Sequence, residues 1–351
     1  MAKPLVSIII PTYQNGLPHV KKCLASLSKV NYSNFEVILV DNGSTDNTVK
    51  VIQKSKFQVK SQNYKSKVKI IRYKENVGFC RGNNQAAKVA RGKYILLLNN
   101  DTVATPNFLT ILVDDLEKDK SIGVVQPKIR QLLNKDKLDA CCSFLTSTGF
   151  LYHYGYSQKQ SDKNYNKRLF MYSAKGACFL TRKSLIDKIG LFDEDYFAYF
   201  EESDFCHRVW LSGFKVLYEP SAEIFHLGGT EKRVSSIIQF HSYKNRIATY
   251  IKNFESDTLF NILSVHIFMC LGIAIAYLMR GKFLYSCAIV SAILWNLINL
   301  KNLLHKRRFV QTKLRVVKDI NLLPEIKKSV KVSYYKHFLF NPRGYYKFEE
   351  I

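Results

Sequence analysis

The chain has 351 residues, more than the roughly 250–300 that one hydrophobic core organises, so a large domain with a smaller appendage is expected. Apolar residues make up 47% and charged residues 23%, which excludes wholesale disorder. Lysine and arginine number 53 against 28 acidic residues, a formal charge of +25 that calls for an anionic partner: nucleic acid, an acidic membrane or phosphorylated substrates.

From the N-terminus, Val6–Ile10 reads as a short buried strand closed by Pro11, too short for the apolar core of a secretory signal. Leu17, Val20, Leu24 and Leu27 then follow helical spacing. Phe35–Val40 repeats the strand signal, and Asp41-Asn42-Gly43-Ser44 is turn chemistry leading to Thr45-Asp46, a helix cap. Val68–Tyr73 is a third strand, Gly78–Ala90 a helix and Tyr94–Leu98 a fourth, fully apolar strand. Strands alternating with helices imply an α/β fold with a mostly parallel central sheet and helices on both faces. Ligands of such sheets lie outside the carboxyl ends of the strands, so Pro11-Thr12-Tyr13, Asp41-Asn42 and Asn99-Asn100-Asp101 are the first candidates.

Between residues 130 and 168 the alternation weakens into polar loops and short strands, room for a segment that shapes an acceptor site. Order returns at Ala177–Leu180, followed by a helix from Ser184 and the aromatic, acidic segment Tyr196–Trp210. Leu259–Leu278 and Phe283–Leu300 are mostly apolar runs of 20 and 18 residues. As helices they reach about 30 and 27 Å, enough for a membrane hairpin. Two helices lying in the interface, or a soluble hairpin, fit the same pattern. Beyond residue 300, 13 basic residues face 4 acidic ones, the flank expected on the cytoplasmic side of an anionic membrane. No zinc-finger or RNA-binding signature accompanies the charge, which favours a membrane surface over nucleic acid. The eight cysteines form no CxxC pair and read as reduced core thiols of a cytosolic compartment.

Asp101 ends a strand, and its hard carboxylate oxygens suit Mg²⁺ or Mn²⁺, which would neutralise a diphosphate. Asp41 can accept from a nucleobase N–H or a ribose hydroxyl, or serve only as a turn carboxylate. Asn76-Val77-Gly78-Phe79, with Arg81 beyond it, opens a helix whose free N–H groups favour phosphate. Tyr199-Phe200-Glu201-Glu202-Ser203-Asp204 places three carboxylates in a helix's first turn, where the dipole holds them ionised and one can act as general base. Asp204 also stands four residues before Arg208, spaced for an ion pair. His226 ends a short strand before a glycine turn and becomes a metal ligand only beside a second ligand.

In this order the blocks Val6–Tyr13, Val40–Asp46, Asn76–Phe79, Leu98–Asp101, Phe200–Asp204 and His226 resemble the family 2 inverting glycosyltransferases, especially their rhamnosyltransferase-like branch. The resemblance covers residues 5 to about 254, through Tyr243-Lys244-Asn245-Arg246 and Lys252-Asn253-Phe254. It implies a GT-A fold over 1–254, and the apolar runs and basic flank beyond it make residues 255–351 a membrane-associated helical hairpin and basic tail. It implies that Pro11, Thr12, Tyr13, Asp41, Gly78, Arg81, Asn100 and Asp101 bind the nucleotide sugar. Asp101 and His226 would hold a divalent metal, and Glu202 would be the base, with Glu201 competing. Asn99 replaces the first acid of a strict DxD motif, and Glu202 the more usual aspartate. The implied activity is transfer from a nucleotide-diphosphate sugar to a glycan in envelope polysaccharide synthesis, and the basic, apolar tail points to a lipid-linked acceptor at the cytoplasmic membrane face. An inactive, membrane-tethered sugar-nucleotide binder is the alternative.

Overall fold

The structure is a computed structural model and describes residues 3–54, 58–61, 64–228 and 235–330. In chain order it runs β1 (Val6–Thr12), α1 (Leu17–Leu27), β2 (Phe35–Asp41), α2 (Thr48–Lys54), β3 (Gln58–Ser61), β4 (Tyr64–Lys67), β5 (Lys69–Arg72), α3 (Gly78–Val89), β6 (Tyr94–Leu98), β7 (Thr102–Ala104), α4 (Phe108–Lys118) and β8 (Ile122–Gln131). There follow β9 (Leu138–Ala140), β10 (Cys142–Leu145), β11 (Leu151–Tyr154), β12 (Leu169–Phe170), β13 (Cys178–Arg182), α5 (Lys183–Ile189), α6 (Glu201–Leu211) and β14 (Lys215–His226). The C-terminal part is helical: α7 (Ser236–Asn253), α8 (Ser256–Met279), α9 (Phe283–Ile298), α10 (Leu300–Phe309) and α11 (Asp319–Ile326).

The main sheet has the order β12-β14-β8-β13-β6-β1-β2-β5. β5, β2, β1 and β6 are parallel, as the alternating pattern predicts. β13 is inverted, antiparallel to both β6 and β8, while β14 returns parallel to β8. The inversion has a consequence for the site. An antiparallel strand begins at the rim where its neighbours end, so the residues entering β13 stand beside the carboxyl end of β6. Asn99 N–H donates to the Ala177 carbonyl there at 2.9 Å.

Strand residues that alternate in direction feed two apolar layers. Ile8 and Ile10 of β1 pack with Leu24 of α1 and Leu112 of α4, whereas Ile9 packs on the other side with Ala86 of α3 and Phe205 of α6. Burial on both faces is why these strands read as continuous apolar runs. α1 shows the matching helical period, with Val20, Cys23, Leu24 and Leu27 buried.

The expected pair of membrane-length helices resolves into one long and one short helix. α8 has 24 residues, about 36 Å, and only 28% of its most apolar window is buried. Phe260, Phe268, Leu271, Ile275 and Met279 are exposed along it. α9 has 16 residues and meets the helical stretch Leu300–Leu314 at a 66° bend. The chain after the bend turns back onto the core. Leu303, Val310, Leu314, Leu322 and Ile326 share one apolar cluster with Phe205 and Trp210, and Val316 N–H donates to the Leu211 carbonyl at 2.7 Å.

Candidate active site

The carboxyl ends of β1 and β2 form the first wall. Asp41 is fully buried, its Oδ1 accepting from the Ser44 N–H at 3.0 Å and its Oδ2 3.2 Å from Arg72 Nε. The turn chemistry and the ion pair therefore coexist at this carboxylate. Asn100 Nδ2 donates to Thr12 Oγ1 at 3.1 Å, tying the end of β6 to that of β1, and Tyr13 lies half exposed above them. The start of α3 differs from expectation. Gly78 N–H donates to Asn76 Oδ1 and Cys80 N–H to the Phe197 carbonyl, so these N–H groups are already partnered rather than open to phosphate. Gly78 has φ +86°, and a Cβ there would stand 2.7 Å from the Phe197 ring, which explains the glycine. Arg81 is largely exposed, 4.0 Å from Glu194.

The second wall is a line of four ionisable side chains. His226 Nε2 is 3.2 Å from Asp101 Oδ1, its Nδ1 is 2.6 Å from Asp139 Oδ2, and Lys175 Nζ is 2.6 Å from the same Asp139 oxygen. Burial alone would raise the Asp139 pKa, but Lys175 and His226 outweigh it and hold it down to about 2. Burial likewise disfavours the charged imidazole of His226, yet its bonds to Asp101 and Asp139 carry its pKa above the ordinary value.

The third wall is the start of α6. Phe197, Tyr199 and Phe200 all have positive φ (61°, 73° and 68°), a conformation that aromatic residues adopt only when their surroundings force it. The force comes from α7. Asn245, fully buried, donates through Nδ2 to the carbonyls of Tyr196, Ala198 and Tyr199 at 3.1, 2.9 and 2.5 Å. Lys252 bridges Asp193 and Asp204, and Lys306 of α10 bridges Asp193 and Asp195. Asp204 pairs with Arg208 at 2.9 Å, as its spacing predicts, and so serves the scaffold. Glu201 and Glu202 emerge from this braced loop. A Cβ on Gly176 would lie 3.8 Å from Glu202 Oε2 and 3.9 Å from Glu201 Oε1. Expected to be held ionised by the helix dipole, Glu202 instead has its pKa raised to about 7, because burial outweighs the hydrogen bond from its own backbone N–H and the pull of Lys175.

Lys175 and Gly176 are adjacent residues just before β13, one reaching Asp139 and the other lying beside Glu202. The inverted strand thus joins the Asp101–His226 pair and the α6 carboxylates at one rim.

The glycosyl transferase family 2 model matches residues 7–190 of this chain. The chain belongs to that family. Glycosyltransferase GlyG of Streptococcus pneumoniae is 24% identical over 218 residues, 61% of this chain and 67% of GlyG. The N-acetylglucosaminyl-diphospho-decaprenol L-rhamnosyltransferase of Mycobacterium tuberculosis is 25% identical over 247 residues, 63% of this chain and 76% of that enzyme. The matches span 67% or less of the lengths of the first curated relatives. In structure the chain is similar to the mannosyltransferase PcManGT from Pyrobaculum calidifontis, solved with GDP-Man and Mn²⁺, with a TM-score of 0.54 at 16% identity over 84% of this chain and 87% of that one. The fold is accordingly of the GT-A type.

In this family 2 chain the donor set for a divalent ion is small. Among the described residues no group of three or more His, Cys, Asp or Glu side chains is placed to hold a metal ion. Asp101 and His226 nevertheless present an oxygen and a nitrogen 3.2 Å apart, and Asp139 on Nδ1 orients the ring so that Nε2 faces Asp101. One carboxylate and one imidazole suit an ion that takes its remaining ligands from substrate phosphates and water. Asp139 and Lys175 escaped the sequence reading because they lie in the irregular stretch and just before β13. The available signal was an isolated aspartate inside the apolar run Leu138–Cys142.

Proposed function

We propose that this chain is an inverting glycosyltransferase that moves a sugar from a nucleoside-diphosphate donor to a lipid-linked glycan acceptor, in envelope polysaccharide synthesis at the cytoplasmic membrane face. The observation that carries the reading is the convergence at Lys175-Gly176: a half-buried carboxylate with a pKa of about 7 shares one rim with the paired Asp101 and His226. A base that titrates near neutrality suits proton removal from a sugar hydroxyl. The name of the M. tuberculosis relative supports a lipid-linked acceptor, and the ligands of PcManGT support a nucleotide sugar with a divalent ion.

In this reading Asp41 meets the nucleobase, and Pro11, Thr12, Tyr13 and Asn100 line the nucleotide. Gly78 allows the close approach of the 197 loop, and Arg81 reaches the donor from the α3 side. Asp101 and His226 would hold Mg²⁺ or Mn²⁺. When bound, such an ion neutralises charge on the leaving diphosphate. Glu202 takes the acceptor hydroxyl proton as the new bond to the anomeric carbon forms and the donor's bond to the diphosphate breaks, so configuration inverts. Glu201 lies deeper and stands second as base.

A thermal-shift screen of UDP, dTDP and GDP sugars, with and without Mn²⁺, tests the donor half. Stabilisation by one nucleotude family that needs metal, and that disappears in Asp101→Asn and His226→Ala, is expected. No stabilisation by any nucleotide, with or without metal, would refute the reading.

A further inference from the structure

Arg246 of α7 is a cation that none of the foregoing chemistry uses. Its guanidinium carbon lies 4.9 Å from the centre of the Phe150 ring, 5.0 Å from Phe200 and 5.7 Å from Tyr243. Its Nε is buried without a hydrogen-bond partner, and no carboxylate pairs with it among the described residues. Its neighbours behave otherwise. Lys244 donates to the Asp195 carbonyl, Lys252 pairs with Asp193 and Asp204, and Arg208 pairs with Asp204. Aromatic faces compensate a cation only in part, so Arg246, partly exposed with its Nε buried, carries a charge that no anion among the described residues offsets.

The surroundings say what kind of anion would relieve it. On one side, Phe200 immediately precedes Glu201 and Glu202. On the other, Phe150 and Tyr243 belong to an apolar cluster with Cys270, Ile273 and Ala274 of α8 and Ile289 and Ala292 of α9. Below lies His153 of β11, whose pKa is depressed to about 4 by burial and by the positive charges of Lys175 and Arg246. Arg246 therefore packs on one side against Phe200, the residue before Glu201-Glu202, and on the other against the Phe150–Tyr243 cluster of α8 and α9. An amphiphile fits that line, with its chain along α8 and α9, an anionic head at the guanidinium and a sugar hydroxyl toward Glu202.

We propose that Arg246 binds the phosphate of a lipid-borne acceptor, so that the head group is read by a guanidinium in an aromatic cage. The acceptor class rests on the functional reading above, but the site can be tested without turnover. The full chain in detergent micelles is titrated with geranylgeranyl diphosphate and with geranylgeraniol, with and without saturating UDP and Mn²⁺, following tryptophan fluorescence. The diphosphate is expected to bind at least tenfold tighter than the alcohol, with UDP and Mn²⁺ leaving that preference intact. Arg246→Gln is expected to bring the diphosphate to the level of the alcohol, and Arg246→Lys to keep part of the preference. Equal binding of the two lipids by the parent chain overturns the proposal whatever the variants do, as does full retention in Arg246→Gln. Displacement of the diphosphate by UDP and Mn²⁺ assigns the anion to the donor site and also overturns it. A chain that shows the preference yet releases no nucleoside diphosphate from any sugar donor would refute the transferase reading alone.

Discussion

Glu202 carries two predictions at the scale of single residues. If it is the base, transfer falls as pH drops through about 7, where the carboxylate takes up a proton, and log kcat/KM against pH has a slope near +1 on the acid side. A profile flat from pH 5 to 8 would remove Glu202 from that role. The same raised pKa fixes the sign of its effect on stability. The folded state disfavours the ionised form, so a penalty absent at low pH develops as pH rises past the unfolded value near 4.5 and is complete above about 7. Glu202→Gln should therefore abolish transfer yet raise the melting temperature at pH 8, by a stability gain of order 1–2 kcal/mol after allowance for partial solvent exposure. Inactivity with a lowered melting temperature would mean that the change damaged the fold instead. Asp41, Asp101, Glu202 and His226 were legible in the sequence because each ends a strand or starts a helix, where local pattern fixes position. Asp139 and Lys175 were not, since Asp139 meets His226 across 87 residues and Lys175 across 36, and no local period encodes such contacts.

Among the elements, the 196–200 loop depends on α7 more than on itself. Three aromatic residues at positive φ store strain of about 1–3 kcal/mol each, and the Asn245 amide holds three of the loop's carbonyls against it. Asn245→Ala is expected to lower stability by about 2–3 kcal/mol in urea unfolding and to lower kcat while the donor KM stays constant. A donor KM that rises with kcat unchanged would place Asn245 in donor binding instead. β1, α1, β2, β5, α3 and β6 followed from their sequence patterns, whereas β3 and β4, polar and four residues each, did not. The inverted β13 did not, because a five-residue buried strand reads the same in either direction.

For the molecule as a whole, the exposed apolar side of α8 predicts membrane attachment that does not depend on the active site. The chain is expected to co-sediment with anionic vesicles. Replacing Phe260, Phe268, Leu271 and Ile275 by serine should release it into the supernatant with its melting temperature nearly unchanged, since these side chains are already in solvent. Equal sedimentation of the variant would shift the attachment to the basic charge alone. The sequence located the apolar runs but not the bend after α9 or the return of residues 300–330 to the core, which are set by contacts with α6 and α7. That return orders events during synthesis. Lys306 completes the clamp on Asp193 and Asp195, the two acids that anchor the loop leading to Glu201-Glu202. A ribosome-bound chain that has released the entire sheet still lacks this brace, and acquires it only after both apolar helices have emerged and had their chance to meet a bilayer. The 196–200 loop of this transferase thus gains this brace late, from a segment that follows both apolar helices.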